Sequence, residues 1–311
     1  MTTEIVTVGT LGFPQAFAVV GLVPGLIVSI FCGVFALYTA LLLIDFKLNH
    51  PEVHNMGDAG YILMSPFKLG WLGREVLSTG AILFAICSVG AMQLTGGLAI
   101  STLADHTICA IGSNGIYAAA ILILSIPRTF DFGLHWLSAL ACTCVVVSCI
   151  VAMVSQGRRG LEYKMRTEDD QVGAGVEPTP NREVAAVQPQ GFYTAFLTIT
   201  NPVIAYAGHF MFFPLISEMK VHTSMPPEMS RPATDCSQKP VDAKKSAWFL
   251  QIFSTSFYVL FGTVTYVYLG STVTNPSFLS LSTVWSKVSW GIMIPNMLMR
   301  VTFQFSTRAH N

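Results

Sequence analysis

Eight apolar runs, each set off from the next by a polar or Gly/Pro-rich break, constrain what this 311-residue chain can fold into. They occupy residues 5–20, 26–46, 76–103, 116–126, 134–154, 192–219, 247–269 and 288–305. Most approach or exceed the roughly 20 residues an α-helix needs to cross a bilayer core. Charged residues make up only 11% of the chain and gather between the runs, whereas 52% of residues are hydrophobic. A soluble fold of this composition would expose apolar surface it could not cover. The runs therefore predict an all-α, multi-pass integral membrane protein in a lipid bilayer. There each backbone polar group is satisfied within its own helix.

Composition also excludes several classes. Formal net charge is zero, which implies no nucleic-acid partner. The cysteines lie mostly inside apolar runs, where they read as small packing residues. No Cys/His spacing resembles a metal site, so neither metal nor cofactor is expected. No basic segment precedes the first apolar run, as a cleaved signal peptide would require.

Between the runs, Gly21-Leu-Val-Pro-Gly25 reads as a tight turn, and residues 156–190 as a polar loop. The third run carries Gly90, Gly96 and Gly97, small residues that allow close helix approach in lipid. Trp71, Trp136 and Trp290 fall near span ends, as interfacial anchors do. Asp45 with Lys47, and Arg74 with Glu75, read as interfacial or gating pairs. His50, His54, Asn55 and Asp58 read as caps and loop fasteners. Gln93 and Thr95, on the third run, are candidates either to face a pocket or to bridge helices.

Two of the eight runs are broken. The first contains Thr7-Val-Gly-Thr10 followed by Leu11-Gly-Phe-Pro14. The sixth contains Asn201-Pro202, then Tyr206-Ala-Gly-His-Phe210, then Pro214. Gly, Pro and polar residues together free backbone groups that lipid cannot satisfy. Broken helices at corresponding places in two halves of a chain point to a transporter site. Unwound backbone and half-helix ends supply donors for a carboxylate and acceptors for an ammonium, the two demands of an amino-acid zwitterion. A Gly/Pro kink with only a packing role is the structural alternative.

At these segments the chain resembles the amino acid/auxin permease family, of the fungal neutral amino acid permease type. The matching stretches are Gly9-Thr-Leu-Gly-Phe-Pro14 with Gly21-Leu-Val-Pro-Gly25, and Phe46-Lys-Leu with His50-Pro51 and Val53-His-Asn-Met-Gly-Asp-Ala-Gly60. Asn201-Pro202, Ala205-Tyr-Ala-Gly-His-Phe210 and Ile216-Ser-Glu-Met-Lys220 complete the set. The resemblance implies a leucine-transporter type inverted-repeat fold, here incomplete with about 8 of 11 spans, forming one transmembrane transporter domain over residues 1–311. It implies a secondary active transporter that moves neutral amino acids by proton symport, in the plasma or vacuolar membrane, and no enzymatic chemistry. Carried onto this sequence, the substrate is held by Thr7, Val8, Gly9 and Thr10 of the first broken span and by Ala205, Tyr206, Ala207, Gly208 and His209 of the sixth. His209 and Glu4 are the proton-coupling candidates, His209 because its ordinary pKa lies near physiological pH.

Three departures from the family pattern stand out. Against that pattern the chain begins midway through span one at Met1-Thr-Thr-Glu4, and it ends after span eight. Residues 221–238 form a polar insert between Glu218-Met-Lys220 and Lys239-Pro-Val-Asp242. The insert reads either as a flexible loop or as a translated retained intron, since Val221 and Gln238 permit splice-site codons; the transcript across Lys220 and Lys239 separates the two. A truncated inactive permease-like product and an amino-acid sensor with a transporter fold are the rival functional readings.

Overall fold

The computed structural model describes residues 8–50, 52–125, 134–169, 184–207 and 242–306. Among the described residues there are nine α-helices and no strand. In chain order they are α1 (Phe13–Val20), α2 (Leu22–Asn49), α3 (Met56–Met64), α4 (Gly70–Leu103), α5 (Ala110–Ser125), α6 (Leu134–Asp169), α7 (Phe192–Ala205), α8 (Asp242–Leu269) and α9 (Thr283–Ser306). Over its described residues each apolar run overlaps one of these helices, and only the short α3 lies outside the runs. Among the described residues four helical stretches, Leu22–Asn49, Gly70–Leu103, Ala139–Arg158 and Ala243–Thr272, are long and apolar enough to cross a membrane.

The helices divide into two compact units. One comprises Gly33–Gly90 with Tyr206–Phe253, the other Thr2–Cys32 with Ala91–Ala205 and Ser254–Asn311. In the first unit Ala40 and Ile44 of α2 pack against Ala243 and Ala247 of α8. Beside this small core Asp45 forms an ion pair with Lys244. The expected Asp45–Lys47 pair therefore does not form. Residues two apart on a helix point away from each other, so the two side chains cannot meet. Lys47 is instead 1% exposed and donates to the Val53 carbonyl, tying the end of α2 to the segment that leads into α3. That segment is fastened much as the sequence suggests. The fastener is Asp58, whose carboxylate accepts from the His54 backbone N–H at 3.3 Å; Asn55 stands at the N-cap position of α3, but its side chain makes no capping hydrogen bond. Arg74 approaches that same carboxylate at 4.0 Å.

The second unit is built on α6 and α9, with α5 against α9 and α1 against α7. Here the expected turn at residues 21–25 contracts to one residue. Gly21 takes φ +99°, a conformation that suits glycine, and α2 begins at once with Leu22. Pro24 stays inside the first turn of α2, where a missing N–H costs nothing. The free N–H groups of Leu22 and Val23 are satisfied by the carbonyls of Ala185 and Ala186 at 3.1 and 3.0 Å, and Gln188 N–H donates to Val20. Tyr266 holds this plug in turn, its hydroxyl accepting from Ala185 N–H at 3.1 Å.

Two other expectations change. Residues 156–169, read as the start of a polar loop, continue α6 as helix; helical hydrogen bonding extends a polar sequence past the apolar run. Trp290 is no interfacial anchor: it is 0% exposed and meets the Phe278 ring edge-on at 5.2 Å. Trp71 is exposed. The close-packing role expected of the third run holds at Gly96, which lies against the Tyr117 ring, and at Gly97, which lies against Asn114. Gln93 bridges helices, donating to the Asn114 carbonyl at 2.7 Å, and Thr95 bonds the Ala91 carbonyl of its own helix. The insert at residues 221–238 lies outside the described residues.

Candidate functional site

The first broken span resolves into a 3₁₀ turn, Val8–Gly12, that runs into α1. A 3₁₀ helix has three residues per turn, so Gly9 and Gly12 fall on one face. That face lies on α7. A Cβ added at Gly9 would sit 2.9 Å from the Ala205 Cβ, and one at Gly12 would sit 3.2 Å from the Asn201 Cβ. Ala205 and Asn201 are four apart and share a face of α7. Because Gly9 meets the later of these residues and Gly12 the earlier, the two segments run antiparallel. The N-terminus of the 3₁₀ turn thus lies beside the C-terminus of α7.

The sequence explains why α7 stops there. Pro202 inside α7 lacks an N–H and clashes with the preceding turn, and regular helix ends at Ala205. The last carbonyls of α7 have no intrahelical partner, and the N–H groups of the 3₁₀ turn point toward that same end. By their backbone dipoles the α7 end is partly negative and the 3₁₀ turn partly positive toward Val8. Within a low-dielectric surrounding this places opposite partial charges next to each other.

Thr10 is 0% exposed, and its hydroxyl has no hydrogen-bond partner among the described residues. A buried hydroxyl without a partner is costly unless a ligand or water meets it. Leu11, Phe13 and Phe17 are buried beside it in sequence; Phe13 stacks on Tyr258 at 4.6 Å. The 3₁₀ turn also packs against a second one, Ser277–Ser280, where Ser277 is likewise buried with an unpaired hydroxyl.

Of the residues singled out from sequence, Gly9 and Ala205 are brought together, and Val8 and Thr10 share their turn. Tyr206 and Ala207 follow α7 directly. Tyr206 is buried, and Ala207 lines an apolar recess of about 270 Å³ in the first unit with Met56, Leu77, Gly80, Ala81 and Phe84. Glu4, Thr7, Gly208 and His209 lie outside the described residues. A separate recess of about 230 Å³ in the first unit is lined by Glu52, Val53, Asp58, Tyr61, Ile62 and Arg74. The apposition of Gly12 with Asn201 is not legible in the sequence; the three-residue spacing puts Gly9 and Gly12 on one face only once the segment is a 3₁₀ turn. Among the described residues no group of three His, Cys, Asp or Glu side chains could hold a metal ion.

Three curated proteins are similar to this chain. The N amino acid transport system protein of Neurospora crassa is 27% identical over 95% of this chain and 56% of its own length. Transmembrane transporters of Gibberella moniliformis and Fusarium pseudograminearum are each 26% identical, over 94% of this chain and 54% of their own. This chain therefore spans about half the length of the curated relatives it matches. No solved structure matches it. The family described as transmembrane amino acid transporter protein matches residues 1–308, nearly the whole chain, and the chain belongs to that family.

Proposed function

We propose that the chain is the substrate-holding part of a secondary active transporter for neutral amino acids, with the zwitterion bound where the Val8–Gly12 turn meets the end of α7. The observation that carries this reading is the antiparallel contact of Gly9 with Ala205. It sets the positive end of one helical segment against the negative end of another, so that a carboxylate and an ammonium on one carbon find opposite partners a few ångströms apart. A charged side chain is not required, which suits a ligand of zero net charge. The Thr10 hydroxyl adds a neutral polar contact. Thr7, Gly208, His209 and Glu4 complete the proposal from sequence, His209 and Glu4 as proton-coupling groups. Kinship with an amino acid transport system protein supports an amino-acid cargo.

The test is uptake of labelled neutral amino acids by permease-deficient cells expressing this chain, alone and joined to the flanking segments of the Neurospora relative, at two pH values. Accumulation that is stronger at the acid pH is the expected result. No uptake by the extended form at either pH overturns the reading. Uptake insensitive to pH removes proton symport and leaves amino-acid transport.

A further inference from the structure

The interface of α6 and α9 carries more polar chemistry than helix packing needs. Its register is fixed by two hydrogen bonds: Ser148 Oγ donates to the Ser289 carbonyl at 2.9 Å, and Asn296 Nδ2 donates to the Ala141 carbonyl at 3.1 Å. Seven residues back along one helix correspond to seven forward along the other, so the pair is antiparallel, with a heptad-like spacing on each side. On α6 the buried positions include Ala141, Val145, Ser148, Ala152, Ser155 and Gln156. On α9 they include Ser286, Ser289, Trp290, Met293, Asn296 and Met297.

Several of these side chains hold polar atoms with no hydrogen-bond partner among the described residues. They are both amide atoms of Gln156, the hydroxyls of Ser286 and Ser289, Nε1 of Trp290 and Oδ1 of Asn296. Gln156 is 2% exposed. Asn296 reaches α6 with its Nδ2, which places its Oδ1 within the same interface. Six buried polar atoms along one helix pair thus call for partners that the helices themselves do not supply. Their chemistry narrows what meets them. Gln156 Nε2 and Trp290 Nε1 only donate, Oδ1 of Asn296 only accepts, and the serines do both. A cation satisfies acceptors alone and would leave the donors unmet; water satisfies both and needs two to four polar partners of this kind.

We propose that the α6–α9 interface is a hydrated seam, holding a file of internal water between Gln156, Ser286, Ser289, Trp290 and Asn296. All its side chains are neutral. If proton symport is correct, the file offers a neutral route along which a proton enters as hydronium at one end and leaves as hydronium at the other, with no side chain changed. That consequence rests on the functional reading above; the seam does not.

Met293 and Met297, both 0% exposed on the same face of α9, report on this water. X-ray pulses split bound water into hydroxyl radicals where it sits, and thioethers beside it oxidise at once. With the purified chain in lipid nanodiscs, Met293 and Met297 are expected to oxidise faster than Met92. Accessibility alone gives the reverse order, because Met92 is 8% exposed. In the double variant Ser289→Ala, Asn296→Leu their rates are expected to fall about threefold or more as the water loses partners. Wild-type rates at or below that of Met92 overturn the proposal, and they decide it alone if the double variant does not fold. A folded double variant with unchanged rates also overturns it. Uptake insensitive to pH, with rapid Met293 oxidation, would discard the proton route and keep the seam.

Discussion

Gly9 and Ala205 meet so closely that any side chain at position 9 would collide with the last residue of α7: a Cβ there would lie 2.9 Å from the Ala205 Cβ. Real Cβ contacts are longer, and the atom on the other side is tied to helix backbone that cannot swing away. The contact holds together the two helix ends on which the proposed substrate site depends. Gly9→Val is therefore expected to cost about 1–3 kcal/mol in overpacking and to abolish amino-acid-dependent thermal stabilisation. Gly115→Ala on α5, where an added Cβ meets nothing within 4 Å, is the matched control and is expected to leave binding unchanged. Thermal unfolding of the purified chain with and without leucine distinguishes the two.

Thr10 separates a structural from a ligand-binding role by the sign of two effects. Its hydroxyl is buried and unpaired, so the near-isosteric Thr10→Val removes an unmet polar group. The ligand-free protein is expected to gain roughly 1 kcal/mol or more. If the hydroxyl meets the substrate, the same change weakens substrate binding about tenfold, or roughly 1.4 kcal/mol. A raised melting temperature with unchanged affinity would assign Thr10 to packing alone. Thr10→Ser, which keeps the hydroxyl, is expected to retain affinity.

Phe17 shows how the 3₁₀ turn and α1 are held in place. Its ring lies against Gly25 of α2 and Gly262 of α8, at distances that leave no room for a Cβ on either glycine. Phe17→Ala opens a cavity between these helices and is expected to cost about 3–5 kcal/mol, and Gly262→Val to cost a comparable amount by the opposite error. Both are read as loss of folded, monodisperse protein on heating in detergent. An unchanged melting temperature for Phe17→Ala would contradict the packing.

How far the sequence speaks for the structure depends on the interaction. The apolar runs give the helices because membrane length and hydropathy act locally, and the end of α7 at Ala205, three residues after Pro202, is legible for the same reason. Pairings between distant residues are not. Nothing in the local pattern tells Asp45 to choose Lys244, although helix geometry forbids Lys47. Trp290 looks interfacial by its position, and only the approach of Phe278 shows it to be core. Gly9 and Gly12 could have been assigned to one face from their spacing, once the segment was known to be a 3₁₀ turn. The helical continuation of α6 through residues 156–169 is not legible because its sequence is polar, and polarity alone does not distinguish a helix from a loop.

Lys47 and Asp45 allow a last comparison, between a buried and an exposed charge two residues apart. The Asp45 and Lys244 side chains are 52% and 39% exposed, so water screens their ion pair and its worth lies near 0–1 kcal/mol. Asp45→Asn is accordingly expected to leave the melting temperature almost unmoved. Lys47 is enclosed and donates to the Val53 carbonyl at the turn between α2 and α3. Lys47→Met keeps the aliphatic stem but strands that carbonyl away from a donor, which costs about 1–3 kcal/mol. The first unit is then expected to loosen at residues 50–55, seen as faster amide hydrogen exchange there than in the wild type. Equal exchange in Lys47→Met and Asp45→Asn would show that the Lys47 bond does not fasten the turn.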